Sequence, residues 1–245
     1  MRKLVMCVLL VLAMSGCANQ PSINLPSSGD IGSSRNLGDT WAFDHQIIDP
    51  DPLATLRIND MQIGDIDGDG KLDIWTSGRG GGSSVYQMVW YKNPGWQRFP
   101  IAPGDYKYGN LGDLDGDNDL DVVVGNSWFE NTGSPQTPDW PEHPLGHSLV
   151  PDLNLVGDLN GDQRLDIVHN NKSVLYWMTA NGDPKQPWSN YEIYDASGTR
   201  TGGDIGDVDG DGDMDVLWGN AWFENPADPT NVPWTRHMID SNWPA

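Results

Sequence analysis

From Leu56 to the last residues, the chain cycles through short apolar or alternating runs split by turn residues. The first cycle holds four runs: Leu56–Ile63, Leu72–Ser77, Val85–Lys92 and Trp96–Ile101. Gly, Pro, Asn and Asp separate them, which is turn chemistry. No run keeps a 3.6-residue period over helical length, so the pattern predicts strands, four to a cycle.

The cycle recurs. "GDIDGDGKLDIW" begins at Gly64, "GDLDGDNDLDVV" at Gly112, "GDLNGDQRLDIV" at Gly157 and "GDVDGDGDMDVL" at Gly206. An aromatic segment follows each: "VWYKN" (89–93), "SWFEN" (127–131), "LYWMT" (175–179) and "AWFEN" (221–225). A second tryptophan then opens another short strand, at Trp96, Trp140, Trp188 and Trp234. A fifth copy of that strand, "WAFDHQIID" at Trp41, stands alone ahead of the first cycle. Four strands in a repeat of about 47 residues are what one blade of a β-propeller needs. The expectation is an all-β protein over 41–245: a small β-propeller of about four four-stranded blades, with five as the alternative count. The Trp41 copy would either close the ring by joining the last blade or be the remnant of a fifth.

Each cycle carries an acidic loop with carboxylates at alternate positions. The first places Asp65, Asp67 and Asp69 at positions 1, 3 and 5, Lys71 at 7 and Asp73 at 9. The second has Asp113, Asp115, Asp117, Asp119 and Asp121. The third has Asp158, Asn160, Asp162, Arg164 and Asp166. The fourth has Asp207, Asp209, Asp211, Asp213 and Asp215. Like charges this close need a cation. Position 7 varies between Lys, Asp and Arg, so it is expected to offer only its backbone carbonyl. Hard oxygen ligands on a flexible loop suit Ca²⁺ better than Mg²⁺, and without Cys or His in any loop they do not suit zinc. About four Ca²⁺ are expected. Asn160 gives up a charge, so the third site should be the weakest. An EF-hand would need Gly at position 6, Glu at position 12 and flanking helices. Thr76, Val124, His169 and Trp218 stand at position 12, and β-formers follow each loop.

"VGDLNGDQRLDIV" and "IGDIDGDGKLDIW" resemble the FG-GAP/VCBS repeat, the calcium-loop blade of integrin-α-type propellers and of many bacterial secreted proteins. The resemblance covers roughly residues 41–240. It implies a calcium-bearing propeller, and the length leaves room for about four blades rather than the usual seven.

Composition narrows the setting. The chain has 245 residues and a net charge of −21, which excludes the basic footprint a nucleic-acid partner needs. At the N-terminus, Arg2 and Lys3 precede an apolar stretch, Leu4–Met14, and then Ser15, Gly16 and Cys17. This order resembles a bacterial lipobox. It implies a signal peptide over 1–16, lipidation of Cys17 and export. Ala18, where an inner-membrane retention signal would have Asp, favours an outer-membrane or cell-surface address. Residues 17–40, rich in Ser, Gly, Asn and Pro, read as a tether. The only other cysteine, Cys7, lies in the signal, so the mature chain has no internal disulfide, and metal is the remaining staple.

No catalytic set stands out. His143, His237, Tyr191 and Phe99 share one repeat place, three residues after a tryptophan, which reads as a packing position for any ring. His45 lies near the same place after Trp41. His147 and His169 are singletons, and His169 is the histidine to watch. The tryptophans read as packing between blades, with stacking on sugar rings as the alternative. The Gly-rich Gly80–Ser84 departs from the other repeats and reads as a rim loop. The function expected is a non-enzymatic, surface-anchored module binding a glycan or protein. The alternatives are a small lyase-like polysaccharide enzyme and a structural protein self-assembling through strand exchange.

Overall fold

The computed structural model describes residues 47–49, 57–80, 85–147, 151–171, 174–195 and 202–239. The expected signal peptide, Cys17, the tether, all but the last three residues of the Trp41 strand, and residues 81–84 lie outside them.

Sixteen strands form four antiparallel four-stranded sheets, with no helix among the described residues. Sheet 1 runs β1 (Arg57–Gly64), β2 (Asp73–Arg79), β3 (Tyr86–Lys92) and β4 (Gln97–Pro103). Sheet 2 runs β5 (Gly109–Gly112), β6 (Asp121–Val124), β7 (Ser127–Phe129) and β8 (Glu142–Pro144). Sheet 3 runs β9 (Asn154–Gly157), β10 (Asp166–Asn171), β11 (Val174–Thr179) and β12 (Ser189–Asp195). Sheet 4 runs β13 (Gly203–Gly206), β14 (Asp215–Trp218), β15 (Ala221–Glu224) and β16 (Thr235–Met238). Spatial order follows chain order in every sheet. The acidic loop always joins the first strand to the second, closing on pairs such as Gly64↔Asp73 and Gly112↔Asp121.

Successive strand residues point to opposite faces, and the middle strands of sheet 2 are buried on both. On sheet 2, Val122, Val124 and Phe129 join the core shared with sheet 1, whereas Val123 and Trp128 join the core shared with sheet 3. This is why Val122–Val124 is apolar at every position rather than alternating. Sheets 3 and 4 share a third core that includes Val168, Trp177, Val216 and Phe223. The first strands lie side by side in the order β1, β5, β9, β13. Close approach fixes a glycine there: a Cβ on Gly109 would stand 2.6 Å from the Trp75 ring and from the Val123 carbonyl oxygen.

A clasp repeats at each junction. The Nε1–H groups of Trp90, Trp128 and Trp177 donate to the carbonyls of Pro135, Pro184 and Pro229 in the next sheet. Trp140, Trp188 and Trp234 donate to the same carbonyls. Their backbone N–H groups reach back to the carbonyls of Ile101, Leu145 and Ile193. Packing and one directed hydrogen-bond set thus fix each sheet on its predecessor.

Sheet 4 has no such neighbour on its far side among the described residues. Ile239 occupies the place of the fully buried Ile101, Leu145 and Ile193 but is 60 % exposed, and Val208, counterpart of the buried Ile66, Leu114 and Leu159, is 43 % exposed. No described core joins sheet 4 back to sheet 1. Sheet 4 takes its fourth strand from its own repeat, β16. Among the described residues sheet 4 is thus four-stranded without the Trp41 copy.

Candidate metal centre

The aspartates divide into two tasks. Position 9 is buried and wired to the backbone. Asp73 accepts from the N–H groups of Ile66 (3.1 Å) and Asn93 (2.8 Å). Asp121 accepts from Leu114 and Asn131, and Asp215 from Val208 and Asn225, all at 2.9 Å. Asp166 accepts from Leu159 at 2.9 Å. Position 1 ties the turn together: Asp113 accepts from the N–H groups of Gly116, Asp117 and Asn118, and Asp158 from Gly161, Asp162 and Gln163. Glycines at positive φ, such as Gly68 at 69°, let the chain bend around these oxygens.

Three carboxylates converge in each of three loops. Ligand oxygens of Asp65, Asp67 and Asp73 lie within 4.8 Å of one another, and so do those of Asp113, Asp115 and Asp121 and of Asp207, Asp209 and Asp215. The position-5 residues Asp69, Asp117 and Asp211 are outside these groups. Each instead accepts from the N–H two residues on, at Lys71, Asp119 and Asp213. In the third loop, Asn160 is consumed by the protein: its Oδ1 accepts from Asp162 N–H (2.9 Å) and its Nδ2 donates to Thr179 Oγ1 (3.2 Å). Of the position-7 residues, Lys71 and Arg164 turn their side chains to Asp69 and Asp162.

The electrostatics call for a cation. Burial pushes Asp121 up to about 8 and Asp166 up to about 6, against the hydrogen bonds that favour their charged forms. Burial also raises Asp73. Asp67 Oδ1 and Asp115 Oδ1 are buried without a hydrogen-bond partner among the described residues, and a buried oxygen in that state is costly. An oxygen-only set with orphaned lone pairs fits a hard divalent ion.

Residues outside the acidic motif also reach the loops. Lys92, Glu130, Thr179 and Glu224 hold one equivalent place, at the end of the third strand or just past it. Lys92 Nζ ion-pairs with Asp67 and, at 2.9 Å, with Asp69. It is the first cause holding Asp69 down to about 2, with Lys71 second. Glu130 bonds His143 (2.8 Å) and Lys185 (2.9 Å), and Lys185 stands 3.6 Å from Asp115. Glu224 bonds His237 at 2.6 Å. Sequence reasoning stopped at the nine-residue loop and missed this place. Its signal was present, one residue before the Asn of "YKN" and "FEN".

The described histidines are packing residues first. Phe99, His143, Tyr191 and His237 stack on Trp90, Trp128, Trp177 and Trp222, with centroids 4.2–4.9 Å apart. His169 is fully buried, stacked between His147 and Tyr176.

A second concavity does not repeat. A cleft of about 250 Å³ lies where the first strands meet, lined by Asp60, Gln62, Tyr108, Asn110, Asp152 and Asn154 together with glycines of β13 and its approach. Gly109 N–H donates to Asp60 Oδ2 at 2.8 Å, and Asn154 Nδ2 donates to the Tyr108 carbonyl at 2.9 Å. Burial raises Asp60. The equivalents of Gln62 on the other first strands are Asn110, Leu155 and Asp204.

Fold and site together define an all-β repeat protein whose strand turns bring carboxylates within ligand distance of one another. Residues 158–218 match the family model of the FG-GAP-like repeat. None of the curated proteins matches the chain. Among solved structures, it is similar to a lectin of Agrocybe aegerita that recognises non-reducing terminal N-acetylglucosamine. The match has 16 % identity and a TM-score of 0.54, covering 78 % of this chain and 54 % of the lectin. The rhamnogalacturonan lyase YesW matches at 17 % identity and TM-score 0.43, over 73 % of this chain and 42 % of its own. A Bacillus licheniformis rhamnogalacturonan lyase matches at 17 % and 0.39, over 69 % and 41 %. The chain thus spans about half the length of the lectin and two fifths of the lyases. At these identities the likeness concerns the fold.

Proposed function

We propose that this chain is a calcium-stabilised binding module, its four sheets the blades of a β-propeller and its ligand a glycan or a protein. The observation that carries this reading is the contrast between the two sites. The repeated carboxylates serve their own loops, whereas the cleft gathers carboxylate, amide and phenol groups that differ from sheet to sheet. Convergent, non-repeating polar groups in a concavity are what a specific ligand needs. Ca²⁺ would be held by Asp113, Asp115 and Asp121 in the second loop and by Asp207, Asp209 and Asp215 in the fourth, fixing those turns where no disulfide can. The cleft is read as a binding rather than a catalytic surface: none of its lining residues is a histidine, and the buried His169 lies outside it. Export and a lipid anchor on Cys17 complete the proposal.

The test is a glycan array, with a pull-down from surface extracts, using the calcium-loaded chain and a Gln62→Ala/Asn110→Ala variant. Binding by the parent that the variant loses supports the cleft. Binding unaffected by the variant moves the ligand elsewhere, and turnover of a polysaccharide would replace binding with catalysis.

A further inference from the structure

The four loops share one motif but not one charge environment. In loop 4, Asp207, Asp209, Asp211, Asp213, Asp215 and Glu224 meet no Lys or Arg ion pair among the described residues. Loop 2 has as many carboxylates, with Lys185 at its rim, 3.6 Å from Asp115. Loop 3 gives up a carboxylate to Asn160 and pairs Asp162 with Arg164 at 2.9 Å. Loop 1 differs in kind. At the place where loops 2 and 4 add a glutamate, it has Lys92, whose ammonium reaches Asp67 and Asp69 together. Gln136, from the next sheet's clasp, adds an amide donor to the same Asp67 oxygen at 3.3 Å.

We propose that Lys92 is the built-in cation of loop 1: its ammonium does there what a divalent ion does in loops 2 and 4, and it keeps metal out of loop 1. The inference rests on the calcium reading of the loops and changes its stoichiometry. An ammonium is a point charge with three donors. Seated on Asp67, it neutralises one of the three converging carboxylates and repels a second cation. Asp65, Asp67 and Asp73 are nonetheless within ligand distance of one another. Removing the lysine should therefore expose a site whose geometry already exists. The chain would then divide its loops into two that depend on metal, one weakened by Asn160, and one that holds itself without metal.

Calcium titration of the whole chain by calorimetry tests this. The parent should fill two tight sites, loops 2 and 4. Lys92→Thr, which copies Thr179, and Lys92→Glu, which copies Glu130 and Glu224, should each fill three. Asp67→Asn should leave the parent's count at two and abolish the third site in the Lys92→Thr background. A parent that loses a tight site on Asp67→Asn binds metal in loop 1 beside the lysine, and the proposal fails. It fails equally if both Lys92 variants stay at two. In either case the calcium reading stands. No calcium heat from any form would overturn that reading and this one with it.

Discussion

Asn131 of sheet 2 donates its side-chain amide to the carbonyl of Ile66 in sheet 1, at 3.0 Å, across a buried junction. Asn225 of sheet 4 does the same to Leu159 of sheet 3, at 2.8 Å. Both asparagines also give their backbone N–H to the position-9 aspartate of their own sheet. One residue thus couples an acidic loop to the loop before it. Asn131→Ala should leave the Ile66 carbonyl buried and unpaired, at a cost of about 1–3 kcal/mol. Asn225→Ala should behave alike. Urea unfolding of the calcium-loaded chain measures both. A change near zero would mean that the junction does not need the amide; sheet 3 has Ala180 in this place.

The exposure of Ile239 on sheet 4 predicts unequal costs for equivalent residues. Leu145→Ala and Ile193→Ala remove fully buried side chains and should cost about 2–5 kcal/mol each. Ile239→Ala, at the same repeat position but largely exposed, should stay within about 0.5 kcal/mol. Equal costs at the three positions would show that Ile239 is covered in solution.

His169 makes stability depend on pH. Burial first, and the neighbouring His147 second, hold it down to about 4, below the ~6.5 of an unfolded histidine. The unfolded chain therefore binds the proton more readily. Stability is full above about pH 6.5 and falls as pH drops from there towards 4. The total from this group is roughly 3 kcal/mol. His169→Phe keeps a ring in the stack and removes the titration. The difference in unfolding free energy between parent and variant should narrow or reverse in the variant's favour between pH 7.5 and 4.5. A constant difference would remove His169 as a source of acid sensitivity.

Much of this structure is legible in the sequence because the physics that sets it is local. The runs Leu72–Ser77 and Trp96–Ile101 became β2 and β4 with ends shifted by one or two residues, since alternation and turn residues act over a few positions. The ring-accepting place of Phe99, His143, Tyr191 and His237 was readable for the same reason: it is one cross-strand pair, repeated. What stayed hidden depends on residues brought together from far apart. Lys92 meets Asp67 across 25 positions, Gln136 meets the same aspartate across 69, and the cleft needs the first strands of all four sheets. The exposure of Val208 and Ile239 was illegible because their motifs match those of their buried counterparts. Only the neighbouring sheet tells them apart.

Thermal unfolding in calcium and in chelator tests the central claim, that the acidic loops hold the fold through bound metal. A site filled at a hundred times its dissociation constant contributes about 2.7 kcal/mol, so two or more sites should raise the melting temperature by many degrees. Melting should be clearly higher in calcium than in EDTA, with recovery on adding calcium back. Asp121→Asn and Asp215→Asn should each shrink the gap. Coincident melts in calcium and EDTA would contradict the account, leaving the loops as hydrogen-bonded turns with no metal to hold.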